Sequence, residues 1–212
     1  MMDNSTLATS FSEKLKACPV IAILRGITID EIIPVCSVLA ENGITLLEIP
    51  LNTPDALKCI EFACKNAPSG QIIGAGTVLS AEDVQNVYDH GGKFIISPNM
   101  DTAVVRRTKE LGMLSIPGCF TATECFSAVA AGADYLKLFP AGSVGPGYIK
   151  DLKAVVKKPF LAVGGVNSEN IGGFIKECAG TGVGGSLYRP GKTLDAISSD
   201  CRILIEKIKY TD

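Results

Sequence analysis

The chain has 212 residues, 47% of them hydrophobic, and a formal net charge of −2. These values predict one folded domain over residues 1–212 and exclude an intrinsically disordered chain. The balanced charge excludes a typical nucleic-acid binder, and no apolar run approaches the roughly 20 residues of a membrane helix. The chain start has neither the basic segment nor the apolar core of a secretory signal, so we expect a cytoplasmic location.

Short β-branched runs alternate with helical segments from end to end. A helix over residues 7–17 comes first, and we expect it to cover the bottom of the fold. The predicted strands follow at residues 19–26, 45–52, 71–78, 93–98, 113–120, 135–140, 160–166 and 181–187. Between them lie helix start signals, such as Thr28 with an acid three residues later, and Ser80 before two acids. Strand ends recur about every 20–26 residues, which is the length of one βα unit.

Eight such units predict a (β/α)8 TIM barrel with an extra N-terminal helix. A doubly wound open sheet has the same alternation and is the structural alternative. Closure is favoured because the units are similar in length and carry no long insertion. In a parallel barrel, functional residues sit at the carboxyl ends of the strands, so polar residues near those ends are the candidates for chemistry.

Two charged residues lie inside predicted strands that are otherwise apolar. Lys137 and Glu48 each stand between apolar neighbours. Strand alternation turns each charge away from the face of its neighbours, so both are predicted to point into the barrel. A buried Glu–Lys ion pair is the structural alternative, but such pairs often add no net stability. A functional pair is therefore the favoured interpretation.

A buried lysine suits a specific chemistry. Desolvation lowers the pKa of an amine, and the neutral amine can attack a ketone to form a Schiff base. A carboxylate such as Glu48 can then transfer the protons. The eight cysteines lack metal-ligand spacing, and the single histidine, His90, sits at a predicted helix C-terminus. We therefore expect reduced cysteines, no metal and no cofactor.

Other strand ends predict the binding of anions. Arg25 ends the first strand, where its guanidinium suits a substrate carboxylate, and Thr77 can donate a hydroxyl beside it. A surface acid is the alternative partner for Arg25. Glycines concentrate after the last two strands, at residues 164–165 and 180–185. Their backbone amides can bind a phosphate, although tight turns alone would also require glycine.

These motifs resemble the class I, Schiff-base aldolases that cleave 2-keto-3-deoxy-6-phospho sugar acids, over about residues 15–192. The matching segments are residues 21–26, 48–50, 74–79, 97–99, 117–118, 137–140 and 164–165. The resemblance implies that Lys137 is the Schiff-base lysine and Glu48 the general acid and base. It implies a carboxylate site at Arg25 and Thr77.

The resemblance also implies the remaining pocket positions. Pocket walls are matched by Pro98 and Phe139, and the phosphate end by Gly164, Gly165, Gly185 and Ser186. Members of this family use no metal and are typically trimeric. The resemblance therefore implies a homotrimer whose ligands are a phosphorylated keto acid and pyruvate, without nucleic-acid or membrane partners.

Within the family, the chain is more similar to the branch that acts on 2-dehydro-3-deoxy-6-phosphogalactonate. The gluconate branch usually has arginine in place of Asn52 and threonine in place of Val163, two further candidates for substrate contact. Cys119, near the end of the fifth strand, also matches the galactonate branch, but the sequence does not assign it a role. The alternatives are a 6-phosphogluconate or dual-specificity aldolase, a phosphate-binding isomerase or epimerase, and a non-catalytic sensor of phospho sugar acids.

Overall fold

The computed structural model describes residues 4–209, which form nine α-helices, one short 3-10 turn and nine strand segments. The helices are α1 (Asn4–Ala17), α2 (Ile29–Glu41), α3 (Ala56–Asn66), α4 (Ala81–Asp89), α5 (Thr102–Glu110), α6 (Ala122–Ala131), α7 (Pro146–Lys153), α8 (Ile171–Ile175) and α9 (Leu194–Lys209). The strands are β1 (Val20–Ile23), β2 (Leu46–Pro50), β3 (Ile72–Gly76), β4 (Phe94–Ile96), β5 (Leu114–Ile116), β6 (Gly118–Cys119), β7 (Leu136–Leu138), β8 (Phe160–Val163) and β9 (Gly180–Val183).

All strands are parallel, in the order β5-β4-β3-β2-β1-β9-β8-β7-β6. The two ends of this order, β5 and β6, are parts of one chain segment interrupted at Pro117, whose nitrogen has no hydrogen to donate. The barrel closes through this segment, because Tyr135 N donates to Ser115 O at 3.3 Å and Lys137 N donates to Pro117 O at 2.9 Å. Nine strand segments thus fill eight barrel positions. The predicted (β/α)8 barrel is confirmed, and an open sheet is not formed.

Apolar side chains fill the lower half of the barrel interior. Strand residues such as Ile21, Leu46 and Leu161 meet Phe11 of α1 there. Phe11 is fully buried, and its ring centroid lies 5.3 Å from that of Phe94. Burial of one such side chain contributes about 1.5–3 kcal/mol. Helix α1 therefore closes the bottom of the barrel, as the sequence predicts.

A second apolar layer separates the strands from the surrounding helices, and most of the cysteines belong to it. Five free thiols are buried there as small apolar residues: Cys36, Cys59, Cys119, Cys125 and Cys201. Within residues 4–209, no helix combines the length and the hydropathy that crossing a membrane requires.

The local start signals are confirmed, but several strands are shorter than predicted. Thr28 and Ser80 are the N-caps of α2 and α4, and the predicted acids complete both capping boxes. The last predicted strand, residues 181–187, ends at Val183 and continues as a tight turn over residues 184–188. The reason is that Gly184 O accepts hydrogen bonds from two later amides, which folds the chain back.

Candidate active site

Lys137 and Glu48 lie inside the barrel, above the apolar layer. Their strand neighbours pack in the outer core, so the pleat turns both charged side chains inward. Lys137 is 6% exposed and Glu48 is 3% exposed. The barrel therefore brings an amine and a carboxyl group together at the base of its upper half, from β7 and from β2.

The two groups influence each other without forming a structural ion pair. Among the described residues, no ion pair joins Lys137 to Glu48, and Glu48 Oε2 is buried without a hydrogen-bond partner. Burial raises the pKa of the Glu48 carboxyl, against the opposing charges of Lys137 and Arg25. Burial also lowers the pKa of the Lys137 amine; Glu48 opposes that change and Arg25 adds to it. Both shifts favour the neutral forms, and the neutral amine is the nucleophilic one.

An aromatic ring forms one wall beside the amine. Lys137 Nζ lies 4.7 Å from the ring centroid of Phe139, which is within the range of a cation–π contact. A Cβ atom added at Gly164 would meet the Phe139 ring at 3.0 Å. Glycine at residue 164 therefore allows Phe139 to lie across the cavity wall.

The carboxyl group of Glu48 fits against a glycine of the neighbouring strand. A Cβ atom built on Gly76 would overlap the Glu48 carboxyl group. The next residue, Thr77, has a φ angle of 55°, a left-handed conformation that costs a non-glycine residue of order 1–3 kcal/mol. Sequence reasoning missed the role of Gly76, because only the β2–β3 pairing brings it beside Glu48.

The loops after β1 and β2 hold Arg25 over the cavity. Arg25 Nη1 donates to Asn52 Oδ1 at 2.5 Å, and Gly26 N donates to Thr53 Oγ1 at 3.0 Å. Arg25 lines the cavity, whereas Asn52 is an exposed residue that is not part of the lining. The sequence hypothesis made Asn52 a substrate contact. In the structure its observed contact is the guanidinium of Arg25, and it does not line the cavity.

One cavity of about 670 Å³ joins these groups to the glycine-rich loops. The predicted site residues that line it are Arg25, Glu48, Thr77, Pro98, Lys137, Phe139, Val163, Gly164, Gly165, Gly185 and Ser186. It is also lined by residues that the sequence did not single out as site residues, among them Ile23, Asn167, Tyr188, Arg189 and Pro190. Ile23 is the last residue of β1 and the others lie in loops, and their neighbours across the cavity become known only once the barrel closes.

The loop after β8 presents amide groups at the far end of the cavity. Gly164 and Gly165 have φ angles of 91° and 76°, which glycine adopts without strain. Their carbonyls are occupied: Gly164 O accepts from Gly142 N, and Gly165 O accepts from Asn170 Nδ2, both at 2.8 Å. The amides of Gly165 and Val166 donate to no group within residues 4–209. Amides arranged in this way can bind an anion.

Cys119 and His90 lie outside the cavity. Cys119 is buried in the outer core on β6, with its Sγ atom 3.8 Å from Pro117 O. His90 ends α4 as predicted, and its Nδ1 atom lies 2.7 Å from Asn86 O. No group of three or more His, Cys, Asp or Glu side chains in the described part of the chain is placed to hold a metal ion.

The fold and the cavity define an enzyme of the (β/α)8-barrel class. The family model described as KDPG and KHG aldolase matches residues 11–202. The chain therefore belongs to the KDPG and KHG aldolase family, and as an aldolase it is a lyase.

Individual relatives agree with this assignment. A protein of Rhizobium meliloti (strain 1021) named probable 2-dehydro-3-deoxy-6-phosphogalactonate aldolase is 46% identical over 82% of this chain and 83% of its own length. The Escherichia coli (strain K12) protein named 2-dehydro-3-deoxy-6-phosphogalactonate aldolase is 41% identical over 89% of this chain and 93% of its own. A solved structure described as native KDPGal has a TM-score of 0.88 and 40% identity, and covers 91% of this chain and 95% of that chain.

Proposed function

We propose that the chain is a Schiff-base aldolase that cleaves 2-dehydro-3-deoxy-6-phosphogalactonate to pyruvate and glyceraldehyde 3-phosphate, in galactonate catabolism. The observation that carries the proposal is a buried lysine and a buried glutamate at the base of one cavity, with a guanidinium and glycine amides in its walls. The two relatives compared above are named for this substrate. From the family resemblance we also propose that the protein is a cytoplasmic homotrimer. Measuring the molecular mass of the protein in solution tests the trimeric assembly.

The reaction begins at Lys137. The neutral Nζ attacks the C2 ketone, and the carbonyl oxygen takes a proton from Glu48 to give a carbinolamine. Loss of water leaves a protonated imine on Lys137. Glu48 then takes the proton of the C4 hydroxyl, and the C3–C4 electron pair moves to the imine nitrogen as the bond breaks. Glyceraldehyde 3-phosphate leaves, and an enamine remains.

The second half of the reaction restores the enzyme. The enamine carbon takes a proton from Glu48, and water hydrolyses the resulting imine to release pyruvate and free Lys137. Arg25, held by Asn52 at 2.5 Å, binds the C1 carboxylate with Thr77 beside it. The amides of the loops that contain Gly165 and Gly185 bind the phosphate at the other end.

Steady-state kinetics on the two C4 epimers test the proposed substrate. We expect pyruvate release from both epimers, with a higher kcat/KM for the galactonate, and no loss of rate in EDTA. A higher kcat/KM for the gluconate would support the 6-phosphogluconate alternative instead. If neither substrate released pyruvate, the aldolase proposal would be wrong. A metal-dependent isomerisation would support the isomerase or epimerase alternative.

Val163→Thr is expected to shift the epimer preference toward the gluconate. Val163 is buried in the cavity wall at the end of β8, and a threonine there adds a hydroxyl. One hydrogen bond is worth about 1 kcal/mol, so the ratio of the two kcat/KM values should change about fivefold. Val166→Thr, a matched change in the wall of the same cavity, should leave the ratio unchanged. An unaltered ratio in Val163→Thr would refute this role.

Gly76→Ala is expected to lower kcat about 100-fold, because the added methyl group displaces the Glu48 carboxyl group. A displacement of about 1 Å is enough for such a loss. Gly147→Ala on α7 is the control, since a Cβ atom there meets no atom within 4 Å. Turnover rates and thermal unfolding should be measured together. A folded Gly76→Ala protein with normal kcat would contradict the positioning of Glu48 by this glycine.

A further inference from the structure

A buried ammonium group lies behind the turn at residues 184–188. The Lys192 side chain is only 9% exposed, and its Nζ atom donates to the carbonyl oxygens of Ser186 and Leu187, at 2.9 Å each. The same ammonium forms an ion pair with Asp200 of α9. A buried charge is tolerated only when it is paired and hydrogen-bonded. These three contacts therefore fix the cation at the carbonyl side of the turn.

A chain of hydrogen bonds leads from this cation across the turn. The peptide groups whose carbonyls face Lys192 donate their N–H groups, from Leu187 and Tyr188, to Gly184 O at 2.8 and 2.9 Å. In a trans peptide the C=O and N–H groups point in opposite directions. The Gly184 carbonyl points into the turn, so the N–H of Gly185 points out of it. Hydrogen bonds in such a chain polarise one another.

The polarised amide lies in the wall of the active-site cavity. Gly185 and Ser186 line the cavity, and within residues 4–209 their N–H groups have no acceptor. A Cβ atom built on Gly185 meets no atom within 4 Å, so the space beside this amide is open. The effect of Lys192 is thus directed at whatever anion occupies this end of the cavity.

We propose that Lys192 is a positioning residue for recognition of the substrate phosphate, which it promotes through the turn at 184–188 without touching the phosphate. The inference rests on the proposed function, because it assigns the phosphate to this end of the cavity. It adds a determinant of specificity: preference for phosphorylated over unphosphorylated aldehydes depends on a cation that does not line the cavity. Asp200 keeps that cation in place.

The reverse, aldol direction separates this role from the chemistry. Pyruvate at saturation is combined with either glyceraldehyde 3-phosphate or glyceraldehyde, and KM and kcat are measured for each aldehyde. For Lys192→Met we expect KM for the phosphorylated aldehyde to rise about tenfold, and kcat/KM for glyceraldehyde to change less than about twofold. An equal loss with both aldehydes, or no loss with either, would overturn the proposal.

Two further variants control for the fold. Lys153→Met removes a more exposed lysine, whose Nζ likewise donates to a backbone carbonyl, Glu177 O at 2.8 Å, outside the cavity, and it should leave kcat/KM unchanged for both aldehydes. Lys192→Gln keeps N–H donors at the end of the side chain but removes the charge, so it supplies the test if Lys192→Met does not fold. We expect a selective loss with the phosphorylated aldehyde, and retention of full selectivity would overturn the proposal.

The outcome is distinguishable from failure of the proposed function. Borohydride reduction in the presence of pyruvate reports on imine formation and not on phosphate recognition, so its failure at Lys137 in the wild-type enzyme would remove the aldolase mechanism. A wild-type enzyme that forms the adduct but does not distinguish the two aldehydes would overturn the role of Lys192 while leaving the aldolase mechanism intact.

Discussion

Lys137→Met is expected to lower kcat for aldol cleavage by about 10⁴-fold or more, which is the scale of losses when a covalent nucleophile is removed. No other described lysine lines the cavity beside Glu48. Methionine keeps the approximate length and the apolar packing of the side chain but cannot form an imine. The protein should therefore fold normally and still bind the substrate carboxylate and phosphate.

Mass spectrometry after borohydride reduction with pyruvate measures the lost step directly. The wild-type enzyme should gain one reduced pyruvate on Lys137, and Lys137→Met should gain none. Lys93→Met is the control, because Lys93 is exposed next to the amino end of β4, and it should retain both the adduct and the activity. An adduct on another lysine, or full turnover without an adduct, would remove the Schiff-base mechanism.

Glu48→Gln is expected to lower kcat by about 10²–10⁴-fold, the usual contribution of a general acid and base. Glutamine has nearly the same size, so the packing against Gly76 is kept. Lys137 remains available, and borohydride trapping should still give an adduct, only more slowly. A separation of this kind, with adduct formed and cleavage lost, identifies proton transfer rather than nucleophilic attack as the function of Glu48.

The pH dependence of borohydride trapping distinguishes an electrostatic role of Glu48 from a purely structural one, because only the electrostatic role would change it. The Glu48 charge raises the pKa of Lys137, so its removal lets the pKa of Lys137 fall further. The amine then stays neutral at lower pH, and the acid limb of the trapping rate should move to lower pH in Glu48→Gln. Glu13→Gln, on the exposed side of α1, should leave the limb in place. A limb that moves upward or stays fixed in Glu48→Gln would contradict the pairing.

The local sequence pattern was sufficient to predict the architecture and to identify the two charged residues at the centre of the site. Because side chains alternate along a strand, the sequence shows which face Lys137 and Glu48 occupy. The βα repeat makes the strands parallel, so both residues lie toward the same end of the barrel. The N-terminal plug was also predictable, because Phe11 and its apolar neighbours recur at helical spacing before the first strand.

Contacts between segments that are distant in the sequence could not be predicted from the local pattern. The hydrogen bond from Arg25 to Asn52 depends on how two loops approach each other, and the fit of Gly76 against Glu48 depends on strand register. The predicted strand 181–187 includes the turn after β9, because the local sequence does not show where the ladder pairing of this strand ends. Only the two amides that donate to Gly184 O reveal that the chain reverses there.

The apolar plug formed by α1 fills the end of the barrel opposite the active-site cavity. Phe11 and the residues around it fill the lower end, so we expect the ligands of the proposed reaction to enter and leave at the upper end, where the cavity lies. In the proposed reaction the enamine is bound covalently to Lys137 at the base of the cavity, and the aldehyde forms above it. We therefore expect the phosphorylated aldehyde to depart before water hydrolyses the imine and frees pyruvate. The helix that stabilises the lower end of the fold thus also bears on the order in which the two products are expected to leave.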